Sequence, residues 1–165
     1  MDFPKYKTTA LEDLVTQWYL RHRFTRPEDL NIKKIGLKYE IFLHCKPKQA
    51  SFMKVGRFKE IVVDSRLPAI YQREQFFHEL CHAVRHAGRQ SMMPPAFRDL
   101  QERDAKHFTL YASLPFHMIQ QYNITDPEII NRWSLDFRIP IHLCKDRLDQ
   151  IKRRHICTFE KNFTD

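Results

Sequence analysis

Residues 76–86 read FFHELCHAVRH and contain the pattern His-Glu-x-x-His. Its two histidines, His78 and His82, are four residues apart. On a helix, side chains at that spacing lie on one face about one turn apart, so both imidazoles can bind one metal ion. Glu79 directly follows the first histidine, where its carboxylate could take a proton from metal-bound water. The pattern therefore predicts a helix that carries a metal-dependent hydrolytic site.

The residues around the motif indicate a helix with one buried side. Four apolar residues recur at helical spacing, at Phe77, Leu80, Val84 and Ala87. This spacing is typical of a core helix that leaves its other face for a site. Cys81 lies between the two histidines, and a thiol can also bind zinc. It points about 60° away from His78 and about 100° from His82, so we interpret Cys81 as a small core residue.

A third ligand is needed, because a catalytic zinc ion usually has three protein ligands and one position left for water. The downstream segment 101–108, QERDAKHF, offers Glu102. The gap after His82 allows the chain to leave the first helix at Gly88, cross a loop and return as a second helix. Asp104 is the competing carboxylate, but on a helix it points about 200° away from Glu102. We therefore prefer Glu102.

The competing imidazole is His86. On a straight helix it lies about 12 Å from His78, so these two side chains cannot bind the same ion. The predicted site is one Zn²⁺ per chain, with His78, His82 and Glu102 as metal ligands and Glu79 as the catalytic base.

A second electrophile, commonly a Tyr or a His, stabilises the oxyanion in zinc peptidases. The candidates near the motif are His86, His107, His117 and Tyr111. The sequence does not distinguish among them.

The pattern before the motif changes from helix to strand. Aromatic and branched residues fill 39–45, 52–55 and 58–63, with a hairpin turn predicted at Gly56-Arg57. These segments predict one small antiparallel sheet of about three strands between Tyr39 and Asp64. Most of the remaining chain has helical spacing, and Thr25-x-x-Glu28 predicts the start of one of the helices. The expected fold class is α+β, mainly helical, with the sheet preceding the metal-binding helix.

One domain spanning residues 1–165 is the natural interpretation of this length. Within it, we expect residues 1–9 to form a loose arm and residues 125–155 to form a helical hairpin packed on the core. No apolar run reaches the 18 or so residues of a membrane span, and the N-terminus has no apolar signal core. The four cysteines form no C-x-x-C pair. We therefore expect a cytoplasmic protein that does not bind a membrane.

Several features together resemble the ImmA/IrrE family of metallopeptidases: the run 72–82, His86, Glu102-x-x-Ala105-x-x-Phe108 and Leu114-Pro115. The resemblance extends from about Pro27 to about Ile151. The His-Glu-x-x-His pattern is shared with many unrelated zinc peptidases, and the combination is far more specific. Members often have Gly where this chain has Cys81 and Ala where it has Thr109. Neither position is a predicted ligand.

The resemblance implies a zincin-like domain and a regulatory zinc endopeptidase. Such proteases typically cleave a helix-turn-helix repressor encoded beside them on a mobile element or prophage. Some relatives are fused to a DNA-binding module, and this sequence contains no recognisable one. The expected partner is therefore a helix-turn-helix repressor that serves as the protein substrate, and we do not expect direct nucleic-acid binding.

The alternative function is a non-catalytic basic regulator that binds DNA or a repressor protein. It is suggested by the net charge of +8 and the pI of 9.4. The basic residues are spread along the chain, however, and none of their clusters forms a block of about five to eight residues typical of a nucleic-acid tail. A non-catalytic protein would also have little reason to keep Glu79, which is not a predicted ligand.

Overall fold

The structure is a computed structural model that describes residues 6–86 and 92–160, with side chains described as far as residue 154 at the C-terminal end. The helices are α1 Ala10–Arg21, α2 Ile32–Lys38, α3 Ala69–Arg85, α4 Pro95–Ser113, α5 Phe116–Ile119, α6 Ile129–Phe137 and α7 Ile141–Glu160. The strands are β1 Phe42–Lys46, β2 Ser51–Val55 and β3 Phe58–Asp64. The α+β prediction is confirmed. Two predicted features, the helix position Ala87 and the helix exit at Gly88, lie outside the described residues.

The chain divides into two compact units. The central unit consists of residues 30–113 and contains the sheet, α2, α3 and α4. The terminal unit consists of the described parts of residues 1–29 and 114–165. Among the described helices, none combines the length and the apolar character that a membrane crossing needs.

The sheet has the strand order β1-β3-β2. The antiparallel prediction is correct for β2 and β3, which are joined by the predicted turn, where Gly56 has a φ of +58°. It is wrong for β1, which runs parallel to β3. Strand β3 is the most apolar, with Ile61, Val62 and Val63 almost fully buried, so it takes the centre of the sheet and separates β1 from β2.

Helix α3 packs against the sheet through β3 and against α4. Its buried side chains include Phe76, Phe77, Leu80 and Cys81, each 2% exposed or less. Burying large apolar side chains of this kind stabilises a fold by about 1.5–3 kcal/mol each. This packing fixes the rotation of α3 about its axis and therefore the direction of its histidines.

In the terminal unit, α1 begins at a capping box in which Thr9 and Glu12 bond to each other's backbone. The buried Glu12 carboxylate also accepts hydrogen bonds from Tyr6, Arg147 and Arg154. Tyr6, which is within the segment predicted as a loose arm, therefore has side-chain contacts with the helices of this unit.

The helix predicted to start at Thr25-x-x-Glu28 is only one 3₁₀ turn, Pro27–Asp29. Asp29, rather than Glu28, accepts hydrogen bonds from the Thr25 backbone and side chain. Helix α2 begins later, where Asn31 caps it by accepting hydrogen bonds from the N–H groups of residues 33 and 34. The prediction was wrong because the segment holds two possible helix starts, at Thr25 and at Asn31, and the cap at Asn31 begins the longer helix.

Towards the C-terminus, α6 and α7 contact each other and lie largely within the segment predicted as a helical hairpin.

Candidate metal centre

The candidate site lies in the central unit, in a cleft of about 790 Å³. One side is formed by residues 49–55, which contain the edge strand β2, and the other by side chains of α3 and α4. The four predicted site residues, His78, Glu79, His82 and Glu102, all line this cleft.

Three of these side chains form a small triangle of potential ligand atoms. The Nε2 atoms of His78 and His82 are 3.1 Å apart. Oε2 of Glu102 lies 3.2 Å from His78 Nε2, and its Oε1 lies 3.4 Å from His82 Nε2. The two histidines are adjacent because they are one turn apart on α3, and Glu102 reaches them because α4 packs along α3.

These separations fit a tetrahedral zinc site. Zinc binds imidazole nitrogen and carboxylate oxygen at about 2.0–2.2 Å, so two ligand atoms at the tetrahedral angle are about 3.3 Å apart. The nitrogen–nitrogen distance of 3.1 Å and the nitrogen–oxygen distances, 3.2 Å to Oε2 and 3.4 Å to Oε1 of Glu102, bracket that value. Two imidazoles and one carboxylate are also a ligand set found in catalytic zinc sites.

His82 is kept neutral by its surroundings. Burial lowers the pKa of His82 to about 4, and the adjacent His78 lowers it too, while the carboxylate of Glu102 opposes this change. A neutral imidazole has a lone pair on one nitrogen at neutral pH. His82 is therefore able to act as a metal ligand without first losing a proton.

Glu79 lines the cleft beside the triangle and is not a member of it. Burial raises the pKa of Glu79 to about 7, and the charge of Glu102 adds to the rise. The backbone N–H of Phe52 in β2 donates a hydrogen bond to the Glu79 carboxylate and opposes the rise. A carboxyl group whose pKa is near neutrality is suited to accept a proton and return it.

A second group of potential ligands, Cys81, His86 and Asp104, lies on the neighbouring side of α3 and α4. Asp104 is in an ion pair with Arg85, whose Nε is 2.8 Å from Oδ2. Burial opposes ionisation of Asp104, but hydrogen bonds from Arg85 and His86 outweigh it and hold the pKa below its ordinary value. Burial, followed by the charge of Asp104, raises the pKa of the Cys81 thiol, so it stays protonated at neutral pH.

The two competing ligands considered from the sequence do not join the triangle. Asp104 is part of the second group, as expected from its angle to Glu102. His86 faces the triangle only through His82, whose Nδ1 lies 2.8 Å from His86 Nδ1. Sequence reasoning treated His86 and Asp104 as rivals for the ion and missed that they contact each other, with 2.9 Å between His86 Nε2 and Asp104 Oδ2. The signal was present, because His86 is the next residue in the i, i+4 series of histidines.

Of the four candidates for a second electrophile, His86 is the one that lines the described part of the cleft. Both of its ring nitrogens already have protein partners. His107 is exposed and stacks on Tyr111, and His117 belongs to the terminal unit.

Comparison with known proteins gives consistent matches. The peptidase M78 family model, described as the IrrE N-terminal-like domain, matches residues 22–149. The phage-like element PBSX protein XkdA of Bacillus subtilis (strain 168) is 30% identical over 87% of this chain and 74% of its own length. The uncharacterized protein YqaB of the same organism is 30% identical over 91% of this chain and 88% of its own length. No solved structure matches the chain significantly.

Proposed function

Because the chain belongs to the metallopeptidase family of the IrrE N-terminal-like domain, we propose that it is a zinc-dependent endopeptidase that cleaves a regulatory protein. In this proposal His78, His82 and Glu102 hold one zinc ion per chain, and Glu79 is the catalytic base. The observation that carries the proposal is that the Nε2 atoms of His78 and His82 are 3.1 Å apart and each lies within 3.4 Å of a Glu102 carboxylate oxygen, separations that suit a tetrahedral site.

The chemistry follows from the positions of the side chains. Zinc, when bound, supplies a Lewis acid that makes water a better nucleophile and polarises a carbonyl. Glu79 accepts the proton of the attacking water and delivers it to the leaving amine. The backbone N–H of Phe52 is near enough to the Glu79 carboxylate to oppose the rise in its pKa, which puts Glu79 on the β2 side of the cleft, where a substrate backbone would lie.

The cleft suits an extended peptide. Among the described strands, β2 pairs only with β3, so no strand of the described residues covers its other edge. The Phe52 N–H faces Glu79, away from β3, and is therefore not available to a substrate. Alternation along the strand directs the backbone of Lys54 to the same edge, where a substrate could pair with it. A substrate strand added at this edge would pass beside the triangle, which favours recognition of backbone rather than of one side chain.

The proposed substrate is a helix-turn-helix repressor of a mobile element or prophage. The resemblance to ImmA/IrrE proteases supports it, as does the similarity to a protein named for a phage-like element. A repressor of this kind acts on DNA, so the proposal also places the protease in the cytoplasm and makes the protein, rather than the nucleic acid, its partner. The alternative, a non-catalytic basic regulator, is favoured by the net charge of +8.

The test is whether the purified, zinc-loaded protein cleaves a candidate helix-turn-helix repressor. We expect discrete repressor fragments on a gel, with no cleavage after a zinc chelator and recovery when zinc is added back. Cleavage that is insensitive to the chelator would contradict the zinc-peptidase proposal. Tight repressor or DNA binding without cleavage by the zinc-loaded protein would favour the non-catalytic alternative.

A further inference from the structure

We propose that His86 and Asp104 are positioning residues that orient the metal ligand His82 through a chain of two hydrogen bonds. The chain runs from His82 Nδ1 to His86 Nδ1, 2.8 Å, and from His86 Nε2 to Asp104 Oδ2, 2.9 Å. The inference rests on the proposed function, since it concerns a ligand of the proposed zinc site. It assigns a role to two residues that neither bind the ion nor touch the substrate.

With zinc bound to His82, only one placement of the ring protons gives both hydrogen bonds a donor and an acceptor. A zinc ion on His82 Nε2 requires the lone pair there, so the proton of the neutral ring is on Nδ1. That proton is donated to His86 Nδ1, which leaves the proton of His86 on its Nε2. His86 Nε2 then donates to the Asp104 carboxylate, which can only accept. The arrangement keeps the lone pair of His82 directed at the triangle.

His86 lies at the end of the helix, one turn after His82. Helix α3 ends at Arg85, and His86 is its C-cap residue with extended dihedrals, φ −105° and ψ 131°. The ring of His86 lies against the ring of His82, with centroids 4.9 Å apart. Both side chains are only 10% exposed, so water competes weakly for their hydrogen bonds.

Asp104 is itself held in place from the other side. Arg85 Nε lies 2.8 Å from Asp104 Oδ2, and Nη2 of the same guanidinium lies 3.2 Å from Oδ1. A two-point contact of this kind fixes the plane of a carboxylate. The end of α3 therefore supplies the cation that orients Asp104, Arg85, and at its C-cap the imidazole that Asp104 orients, His86.

The competing interpretation is a second metal site formed by Cys81, His86 and Asp104, whose ligand atoms also lie close together. The Arg85 guanidinium argues against it, because it already occupies both oxygens of Asp104 with a positive charge. The contact of His86 Nδ1 with His82 also fixes the ring of His86 towards the first site.

The experiment compares zinc affinity in full-length variants by competition with a chelating dye. His86→Phe and Asp104→Leu remove the acceptors, while His86→Gln keeps a carbonyl oxygen that can accept from His82. Asp99→Leu, at an exposed position of the same helix, is the matched control. Loss of an outer hydrogen-bond partner weakens metal binding by about 10–100-fold. We expect that loss for His86→Phe and Asp104→Leu, partial recovery for His86→Gln, and no change for Asp99→Leu.

A spectroscopic measurement separates orientation from a merely structural role. In zinc-loaded wild-type protein with ¹⁵N-labelled histidine, nuclear magnetic resonance should show the proton of His82 on Nδ1 and that of His86 on Nε2. This measurement needs no substitution, so it stands even where a variant does not fold. A His86 protonated on Nδ1 would overturn the inference.

The remaining outcomes are also decisive. A wild-type protein that binds zinc, with His86→Phe and Asp104→Leu variants that bind it equally tightly, would overturn this inference alone. Two zinc ions per wild-type chain, with the second lost in Asp104→Leu, would replace it by the second metal site. A wild-type protein that binds no zinc would overturn both this inference and the proposed zinc peptidase.

Discussion

Nε2 of His82 lies 3.4 Å from Oε1 of Glu102, although the two residues belong to different helices. The contact links α3 to α4, and both residues line the cleft. A histidine and a carboxylate at this distance could form an isolated ion pair. The Nε2 of His78 closes the triangle at 3.1 and 3.2 Å from the other two residues, which a simple ion pair does not require.

Glu102→Gln should lower zinc affinity more than Asp104→Asn does. The amide of glutamine is a much weaker zinc ligand than a carboxylate, whereas Asp104 acts only through His86. Zinc dissociation constants for both variants, measured beside Asp99→Asn as an exposed control on the same helix, test the assignment. Full zinc affinity in Glu102→Gln, with loss in Asp104→Asn, would show that the third ligand is wrong.

Glu79→Gln should still bind zinc and the repressor but should fail to cleave it. The amide keeps the shape and a hydrogen bond, but it cannot accept the proton of the attacking water. Removing a general base typically lowers the rate by about 10²–10⁴-fold. Cleavage rates and zinc content are compared with those of Glu74→Gln, a variant on the same helix whose residue does not line the described cleft. Equal cleavage by both variants would remove Glu79 from the mechanism.

Glu12→Ala should destabilise the protein strongly. Glu12 is 1% exposed and Arg147 is fully buried, so the substitution leaves a buried cation without its carboxylate. Breaking a buried pair in this way costs about 3–5 kcal/mol of unfolding free energy. Urea denaturation measures the change, with the exposed neighbour Asp13→Ala as the control. A similarly small loss of unfolding free energy in both variants would show that the Glu12–Arg147 ion pair contributes little to stability.

His117 should make stability depend on pH. Burial lowers the pKa of His117 below its ordinary value of 6.5, and the hydrogen bond with the Phe24 carbonyl opposes this. As pH falls, the unfolded chain therefore binds the proton at a higher pH than the folded protein does. The unfolding free energy should fall as pH decreases below 6.5 and through the lowered pKa of folded His117. One such group gives a slope of at most about 1.4 kcal/mol per pH unit. His117→Gln should reduce the slope of stability against pH; an unchanged slope would contradict the prediction.

The features that the sequence predicted well are local. The position of α3 follows from helical periodicity, and the meeting of His78 and His82 follows from their spacing on one turn. The hairpin at Gly56 follows from a residue that tolerates a positive φ. In each case the interacting groups are close in sequence, so elementary geometry is sufficient.

The features that the sequence did not predict depend on distant contacts. The parallel pairing of β1 with β3 arises because β3 is the most apolar strand and takes the centre of the sheet. The prediction instead assumed that strands adjacent in sequence pair with each other. The buried pair of Glu12 and Arg147 joins helices from opposite ends of the chain. The contact of His86 with Asp104 joins the C-cap of α3 to α4, and it was missed because each residue was compared only with the predicted ligands.

The position of the bound ion can be measured by diffraction from crystals of the zinc-loaded Glu79→Gln protein, collected on both sides of the zinc absorption edge. The zinc-peptidase account predicts one anomalous peak per chain, about 2.0–2.2 Å from His78 Nε2, His82 Nε2 and a Glu102 carboxylate oxygen. A peak among Cys81, His86 and Asp104 instead, or no peak at zinc-saturating concentration, would contradict it.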